Sequence, residues 1–328
     1  MSHRERVLTA IKGQAVDRPP VSMWRHYFSQ ERSAEDLAGA MLAHQRQFDW
    51  DFMKVNPRAS YHAEPWGLKA RYSGNSAPAV TSHPVKAEAD WERITAVPMS
   101  HPVFREQLRA LELIGEGLKG RVPFLATVFT PVSIASRLIS SEDDFIEALR
   151  ANSPALYSAM EAVTDTFTAY AKAALDRGAS GLFYATTGFA TTDRMNVTDY
   201  RRFVRPWDLK LLDALPVHEF TLLHVCRDNN MLRDFASYPV HAVNWDVYGK
   251  NNLNLTQGKA VLQGKAVVGG IPKDGMLLRA SPAQMYGHVH GIAAAMGIQG
   301  RMVAPGCTYA PDAQTGNIDA VRRAVDGS

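Results

Sequence analysis

The chain has 328 residues, 21% of them charged, and a formal net charge of +3. The basic residues are scattered, which excludes a nucleic-acid footprint or an anionic-membrane patch, and no apolar run approaches the roughly 20 residues of a spanning helix. Length alone allows two domains, but α/β barrels of this size are routinely single, so one domain over residues 1–328 is expected. The opening Met1-Ser2-His3-Arg4-Glu5-Arg6 carries no signal-peptide pattern, which points to a cytoplasmic protein. Two cysteines do not make a disulfide framework and are read as thiols in a reducing compartment.

A short helix over residues 5–12 precedes Asp17-Arg18-Pro19-Pro20, and the prolines deliver an extended first strand over 21–26. Apolar residues at helical spacing over 34–49 lead to a second strand over 51–57. Residues 58–99, punctuated by proline and glycine, are predicted as an irregular excursion after strand 2 with short strands of its own. A helix over 104–118 leads to the third strand, 122–129, and helices over 133–139, 141–149 and 154–177 follow. Gly178-Ala179-Ser180-Gly181 stops the last of them, and the fourth strand covers 182–186. After a helix over 200–215, strands five to eight are predicted over 221–226, 242–247, 266–271 and 301–306, with a closing helix over 318–325. Short apolar strands without alternation, separated by helices, describe parallel strands buried on both faces. The fold expected is α/β, a single (β/α)8 TIM barrel, with a doubly wound open sheet as the alternative.

In such a barrel the active site lies at the C-terminal ends of the strands. The polar residues there are Arg25 and His26, Asn56, Thr130, Thr186 and Thr187, His224 and Cys226, Asp246, and Cys307. Side chains alternate along a strand, so His224 and Cys226 point the same way, about 6 to 7 Å apart at Cα. Cys307, the only other cysteine, ends another strand. One imidazole and two thiolates make an incomplete tetrahedral set, which is the donor set of a catalytic zinc with an open fourth position. Asp246 is assigned either as a weak fourth ligand or as a group behind the ligands, and with His26 it is the candidate catalytic residue. Arg25 and His26 are expected to hold an anionic part of a substrate, with Asn56, Thr186 and Tyr309 completing the wall. The competing structural readings are buried core cysteines, Asp246 as a turn or ion-pair residue, and Arg25 bridged to Asp51. His288 and His290 lie two apart on a predicted helix and are read as ordinary, and His62, His83, His101 and His241 as loop or surface residues.

Several stretches carry a resemblance: Arg4-Glu5-Arg6-Val7-Leu8 with Asp17-Arg18-Pro19-Pro20-Val21, Phe129-Thr130-Pro131, Asn244-Trp245-Asp246, Gly269-Gly270-Ile271, and Gly306-Cys307 followed by Asn317-Ile318. Over essentially its full length the chain resembles the uroporphyrinogen decarboxylase superfamily. That resemblance implies a (β/α)8 barrel and two branches, metal-free decarboxylases and cobamide:coenzyme M methyltransferases that bind zinc through His-X-Cys and a distant Cys. The decarboxylase segments are largely lost. Of their arginine-rich segment only Arg25 matches, Lys54-Val55-Asn56-Pro57 stands where they place an aspartate, Ser133-Ile134-Ala135-Ser136-Arg137 holds no tyrosine, and Gly306-Cys307-Thr308 replaces Gly-His-Gly. The methyltransferase motif is met at His224, Cys226 and Cys307.

The expected function is a zinc-dependent methyl or alkyl transferase that activates a small thiol acceptor. By the resemblance a methylcorrinoid is its donor, free or on a partner corrinoid protein, because the chain lacks the Asp-x-His-x-x-Gly segment of a corrinoid-binding domain. The alternatives are a metal-free lyase acting on a carboxylate-bearing substrate and a non-catalytic partner of a corrinoid protein. A homodimer is left open.

Overall fold

Seven of the apolar runs lie side by side as parallel strands in the computed structural model, which describes residues 1–327. The strands are β1 (Met53–Val55), β2 (Lys69–Ser73), β3 (Ser76–Ser82), β4 (Phe124–Phe129), β5 (Gly181–Thr186), β6 (Leu222–Val225), β7 (Ala242–Trp245), β8 (Ala266–Ile271) and β9 (Arg301–Pro305). The main sheet runs β1-β4-β5-β6-β7-β8-β9 and curls into a half-barrel. β2 and β3 form a separate antiparallel hairpin inside the expected excursion. Almost every residue of the main strands is buried, which explains why they read as apolar runs without alternation.

The two faces of the sheet feed different cores. Phe52, Leu125, Phe183, Leu222, Ala242, Val268 and Met302 form one cluster on the inner face, joined by Trp24 and Phe220. The outer face packs on helices, including Ala34–Phe48, Pro102–Leu118 and the 23-residue Pro154–Asp176. That longest helix starts where Ser153 accepts the Leu156 N–H and Pro154 occupies the first turn, where no donor is needed. No helix among the described residues is long and apolar enough to cross a membrane.

The eighth strand is the main departure from the expected barrel. Residues 21–26 form no strand, and Val21 makes a single parallel bridge to Val303. The reason is a shortage of donors. Pro19 and Pro20 have no N–H, and the Val21 N–H is taken by the Asp51 carboxylate at 2.8 Å instead of by a neighbouring strand. The Val303 N–H still reaches the Pro20 carbonyl at 2.8 Å, Ser22 N–H reaches Val303 at 3.1 Å, and Asp51 N–H reaches Val21 at 2.9 Å. Residues 20–22 therefore stitch β9 to the chain entering β1 without becoming a strand.

The clamp on that seam is ionic. Asp51 is fully buried and accepts from Arg6 at 2.7 Å, from Arg18 at 2.6 Å, and from His3 at 2.9 Å. Burial raises its carboxyl, but His3, Arg18 and the Val21 N–H outweigh burial and hold it well below the usual carboxylate range.

Two helices also differ from expectation. The helix expected over 200–215 contains a π turn at Tyr200–Val204 and becomes regular only at Arg205–Asp213. Pro206 cannot donate to the carbonyl one turn back, so the chain widens there. The helix after β4 is confined to Pro131–Ala135.

Candidate metal centre

His224 lies on β6 directly opposite Asn244 on β7, so their side chains share the inner face. Asn244 is fully buried, and its Nδ2 donates to the carbonyls of Val268 at 2.9 Å and Pro305 at 3.1 Å. A flipped amide would set oxygen against two oxygens, so Oδ1 faces His224 and accepts the Nδ1–H at 2.6 Å. The proton is thereby fixed on Nδ1, and Nε2 keeps a bare lone pair. That Nε2 is buried and has no hydrogen-bond partner.

The two sulfurs converge on this lone pair. One ligand atom from each of His224, Cys226 and Cys307 lies within 4.8 Å of the others. The Cys226 N–H donates to Thr186 Oγ1 at 3.2 Å, and Thr186 donates to the His224 carbonyl at 3.1 Å, so Thr186 ties the ligand-bearing strand to β5. Arg227, next after Cys226, sits at φ +80°, a left-handed conformation unusual for a side-chain-bearing residue, and turns the chain away from the sheet. On the other arm Gly306 packs so tightly that an added Cβ would lie 2.7 Å from the Asp246 Cα. Only glycine brings Cys307 this close to β7.

The two thiols act on each other. The hydrogen bond from Cys226 pulls Cys307 well below the ordinary thiol value against its burial, and the same bond pushes Cys226 up. Burial lowers Lys273, but Asp246 at 3.2 Å and the two cysteines together hold it above the ordinary lysine value. A thiolate, a second sulfur and an imidazole lone pair that face one another in a buried place form an arrangement that a soft divalent cation completes.

Asp246 is not part of this cluster. Its carboxylate pairs with Lys273 and accepts the Tyr248 N–H at 3.0 Å. The expected wall is distributed unevenly. Arg25 donates to the Pro311 carbonyl at 2.6 Å and lies over the Tyr27 ring, and Asp51 is bridged by Arg6 and Arg18 instead. His26 contacts the buried Glu31 at 3.0 Å and stacks on Phe28. Tyr309 is buried, and its hydroxyl accepts from His44 Nε2 at 3.0 Å, because the Trp50 indole N–H already occupies His44 Nδ1. Asn56 is fully buried, and neither of its amide atoms has a partner.

A cavity of about 300 Å³ adjoins Cys307, lined by His26, Phe28, Lys273, Thr308 and Tyr309 among others. Hollows of about 680 and 730 Å³ contain none of the ligand residues. The hollow of about 680 Å³ gathers Val122, Ala179 and Glu219, which precede strands, at the end of the sheet opposite His224, Cys226 and Cys307.

The family model described as Uroporphyrinogen decarboxylase (URO-D) matches residues 2–328. The chain belongs to the uroporphyrinogen decarboxylase family. Within that family it is similar to the methylcobamide:CoM methyltransferase MtaA of Methanosarcina barkeri, 23% identical, with 98% of this chain and 97% of that protein covered. A uroporphyrinogen decarboxylase of Geobacter sulfurreducens is 26% identical, over 63% of this chain and 60% of that one. A solved structure titled as a methyltransferase from Methanosarcina mazei shares the fold at a TM-score of 0.83, with 22% identity, and covers 100% of this chain and 99% of its own. A B12-independent methionine synthase from Shewanella sp. W3-18-1 follows the fold more loosely, at a TM-score of 0.59 and 10% identity, with 96% and 97% covered.

Sequence reasoning on this member of the uroporphyrinogen decarboxylase family missed three residues. Asn244 had a signal, an amide in an apolar run one strand from His224, but cross-strand register is not readable from one sequence. Lys273 lies in a loop, and only the folded chain brings it to Asp246. Lys54 interrupts the apolar Phe52-Met53-Lys54-Val55 run, and that interruption was visible. His62, read as a loop or surface residue, lies in a turn and is buried against Phe129.

Proposed function

We propose that this protein is a zinc-dependent transferase that moves a methyl or other alkyl group to a thiol, with His224, Cys226 and Cys307 as the metal ligands. The observation that carries this reading is the buried His224 Nε2, stripped of its proton by Asn244 and aimed at two sulfurs. Zinc bound there supplies a positive centre that keeps an acceptor thiol as thiolate at neutral pH, so no dedicated base is required. The chain's own groups set up the rest. Asn244 and Thr186 hold the ligand strand in register, and Gly306 lets Cys307 approach. Lys273, paired with Asp246, places a cation beside the sulfurs.

The full-length similarity to a protein named for methylcobamide and CoM supports a methylcorrinoid as donor, delivered free or on a partner corrinoid protein. In this reading the protein is cytoplasmic, where thiols stay reduced, and forms one domain. Residues 20–22 then mark the closing position of a TIM barrel.

The test is the metal content of protein purified without added metal, beside Cys226→Ser and Cys307→Ser. The expected result is about one zinc per chain in the wild type, lost in either variant while the fold persists. Zinc-loaded protein is then expected to methylate small thiols from methylcobalamin. A folded wild type that takes up no zinc even when offered it overturns the proposal and leaves a metal-free lyase.

A further inference from the structure

His26 lines the cavity of about 300 Å³ that adjoins Cys307, and its ring is fixed from behind. The Gln30 and Glu31 N–H groups both donate to the Tyr27 carbonyl, at 2.8 and 2.9 Å, and this turn carries the Glu31 side chain back to His26. Glu31 is fully buried. Its Oε1 accepts the Ala59 N–H at 2.7 Å, and its Oε2 lies 3.0 Å from His26 Nδ1. A carboxylate only accepts, so the imidazole proton sits on Nδ1. His26 Nε2 keeps its lone pair and has no hydrogen bond among the described residues. Phe28 stacks parallel on the ring at 4.8 Å and closes one face of it.

A buried carboxylate behind a part-exposed imidazole is the arrangement that orients a proton acceptor. The other titratable groups lining this cavity cannot take that role. Burial lowers Lys273, but Asp246 outweighs it, so the ammonium already carries its proton. Burial keeps Tyr309 a neutral phenol, and Asp274 is a carboxylate, a far weaker base than an imidazole. Arg25 is taken up by the Pro311 carbonyl, and Lys54 and Tyr72 are the further titratable groups near Glu31.

The structure assigns His26 as the proton acceptor for the incoming thiol, with Glu31 as the positioning residue behind it. The inference rests on the group-transfer reading of the metal centre. Coordination makes a thiol acidic, but its proton still needs somewhere to go. As the thiol is seated, its S–H bond breaks, the sulfur keeps the electron pair, and the proton goes to His26 Nε2. The resulting imidazolium is favoured by the Glu31 carboxylate and by the thiolate. The alkylated sulfur leaves as a neutral thioether, and the imidazolium then loses its proton to solvent through the cavity.

Titration calorimetry of zinc-loaded protein with 2-mercaptoethanol, in phosphate and in Tris, counts the protons released per thiol bound, because the two buffers differ in ionisation enthalpy. Near neutral pH the wild type is expected to release less than about half a proton, and His26→Gln about one. In Glu31→Gln the Ala59 N–H keeps the amide oxygen, so the amide NH2 faces Nδ1 and moves the imidazole proton to Nε2. This variant is expected to release about one proton too, although the side chain keeps its shape. In both variants zinc content stays at the wild-type level, and thiol affinity rises about tenfold per pH unit where that of the wild type is flat. Equal proton counts in the three zinc-loaded proteins, or no thiol binding by the zinc-loaded wild type, overturn the assignment. A changed count in His26→Gln alone overturns the part given to Glu31. Should Glu31→Gln not fold, His26→Gln carries the comparison. A wild type that takes up no zinc overturns the group-transfer reading and this inference with it, so metal content tells the two failures apart.

Discussion

Asn244 decides which nitrogen of His224 is free. Its amide is anchored to two backbone carbonyls on β8 and β9, so the 2.6 Å contact to Nδ1 fixes the imidazole tautomer before any ion arrives. Replacing Asn244 by Leu leaves all three ligands in place but removes that anchor. Zinc affinity, measured by competition with a chromophoric chelator, is expected to fall about 10- to 100-fold. Unchanged affinity would show that the tautomer is set by something else.

Gly306→Ala probes the close approach of the two ligand arms. A Cβ there meets Asp246 Cα at 2.7 Å and Oδ1 at 2.9 Å, and the backbone contact cannot be relieved by a rotamer change. The variant is expected to lose about 1 to 3 kcal/mol of stability and to bind zinc more weakly. Urea denaturation and the chelator assay read the two effects, and a variant with wild-type values in both would refute the tight contact.

Asp51→Asn removes the buried charge that Arg6, Arg18 and His3 share. Arg6 keeps Asp17 and Arg18 keeps Asp326, but both lose the buried carboxylate between them, and the expected loss is about 3 kcal/mol in chemical denaturation. The wild-type contribution has a defined sign with pH. Because the folded carboxyl titrates below its unfolded value of about 3.9, this stability is present at neutral pH and is lost as pH falls below about 4.

Asp208 is predicted to act in the opposite sense. It is fully buried, Tyr200 and Tyr238 both donate to Oδ2 at 2.9 Å, and Oδ1 has no partner. Burial pushes its carboxyl up to about 7 in spite of the two hydroxyls. With the folded value above the unfolded one, its stabilisation is complete below about pH 4 and is lost as pH rises toward 7. The slope is at most about 1.4 kcal/mol per pH unit. Asp208→Asn should flatten the dependence of the urea midpoint between pH 5 and 8, and an unchanged slope would assign it to other groups.

What could be read from the chain divides along a physical line. His224, Cys226 and Cys307 were legible because strand alternation and strand ends are local properties of sequence, and so were the apolar strands from β4 to β9. Val21 was misjudged because its hydrogen-bond partners, Asp51 and Val303, are remote. The partners of Tyr309 and Arg25, His44 and Pro311, are remote in the chain, and no local pattern announces them. Asn56 shows the converse case. Its lack of partners is a property of the folded chain.

The stitch between Val21 and Val303 also orders events on the ribosome. Val303 is made long after Val21, so at about 5 to 20 residues per second the seam stays open for on the order of tens of seconds. During that interval residues 20–22 carry an unpaired edge of the kind that invites pairing with other nascent chains. Asp51 emerges early and can cap the Val21 N–H long before β9 exists. Asp51 thereby holds Val21 on its β1 side, while the Pro20 carbonyl and the Ser22 N–H wait for Val303.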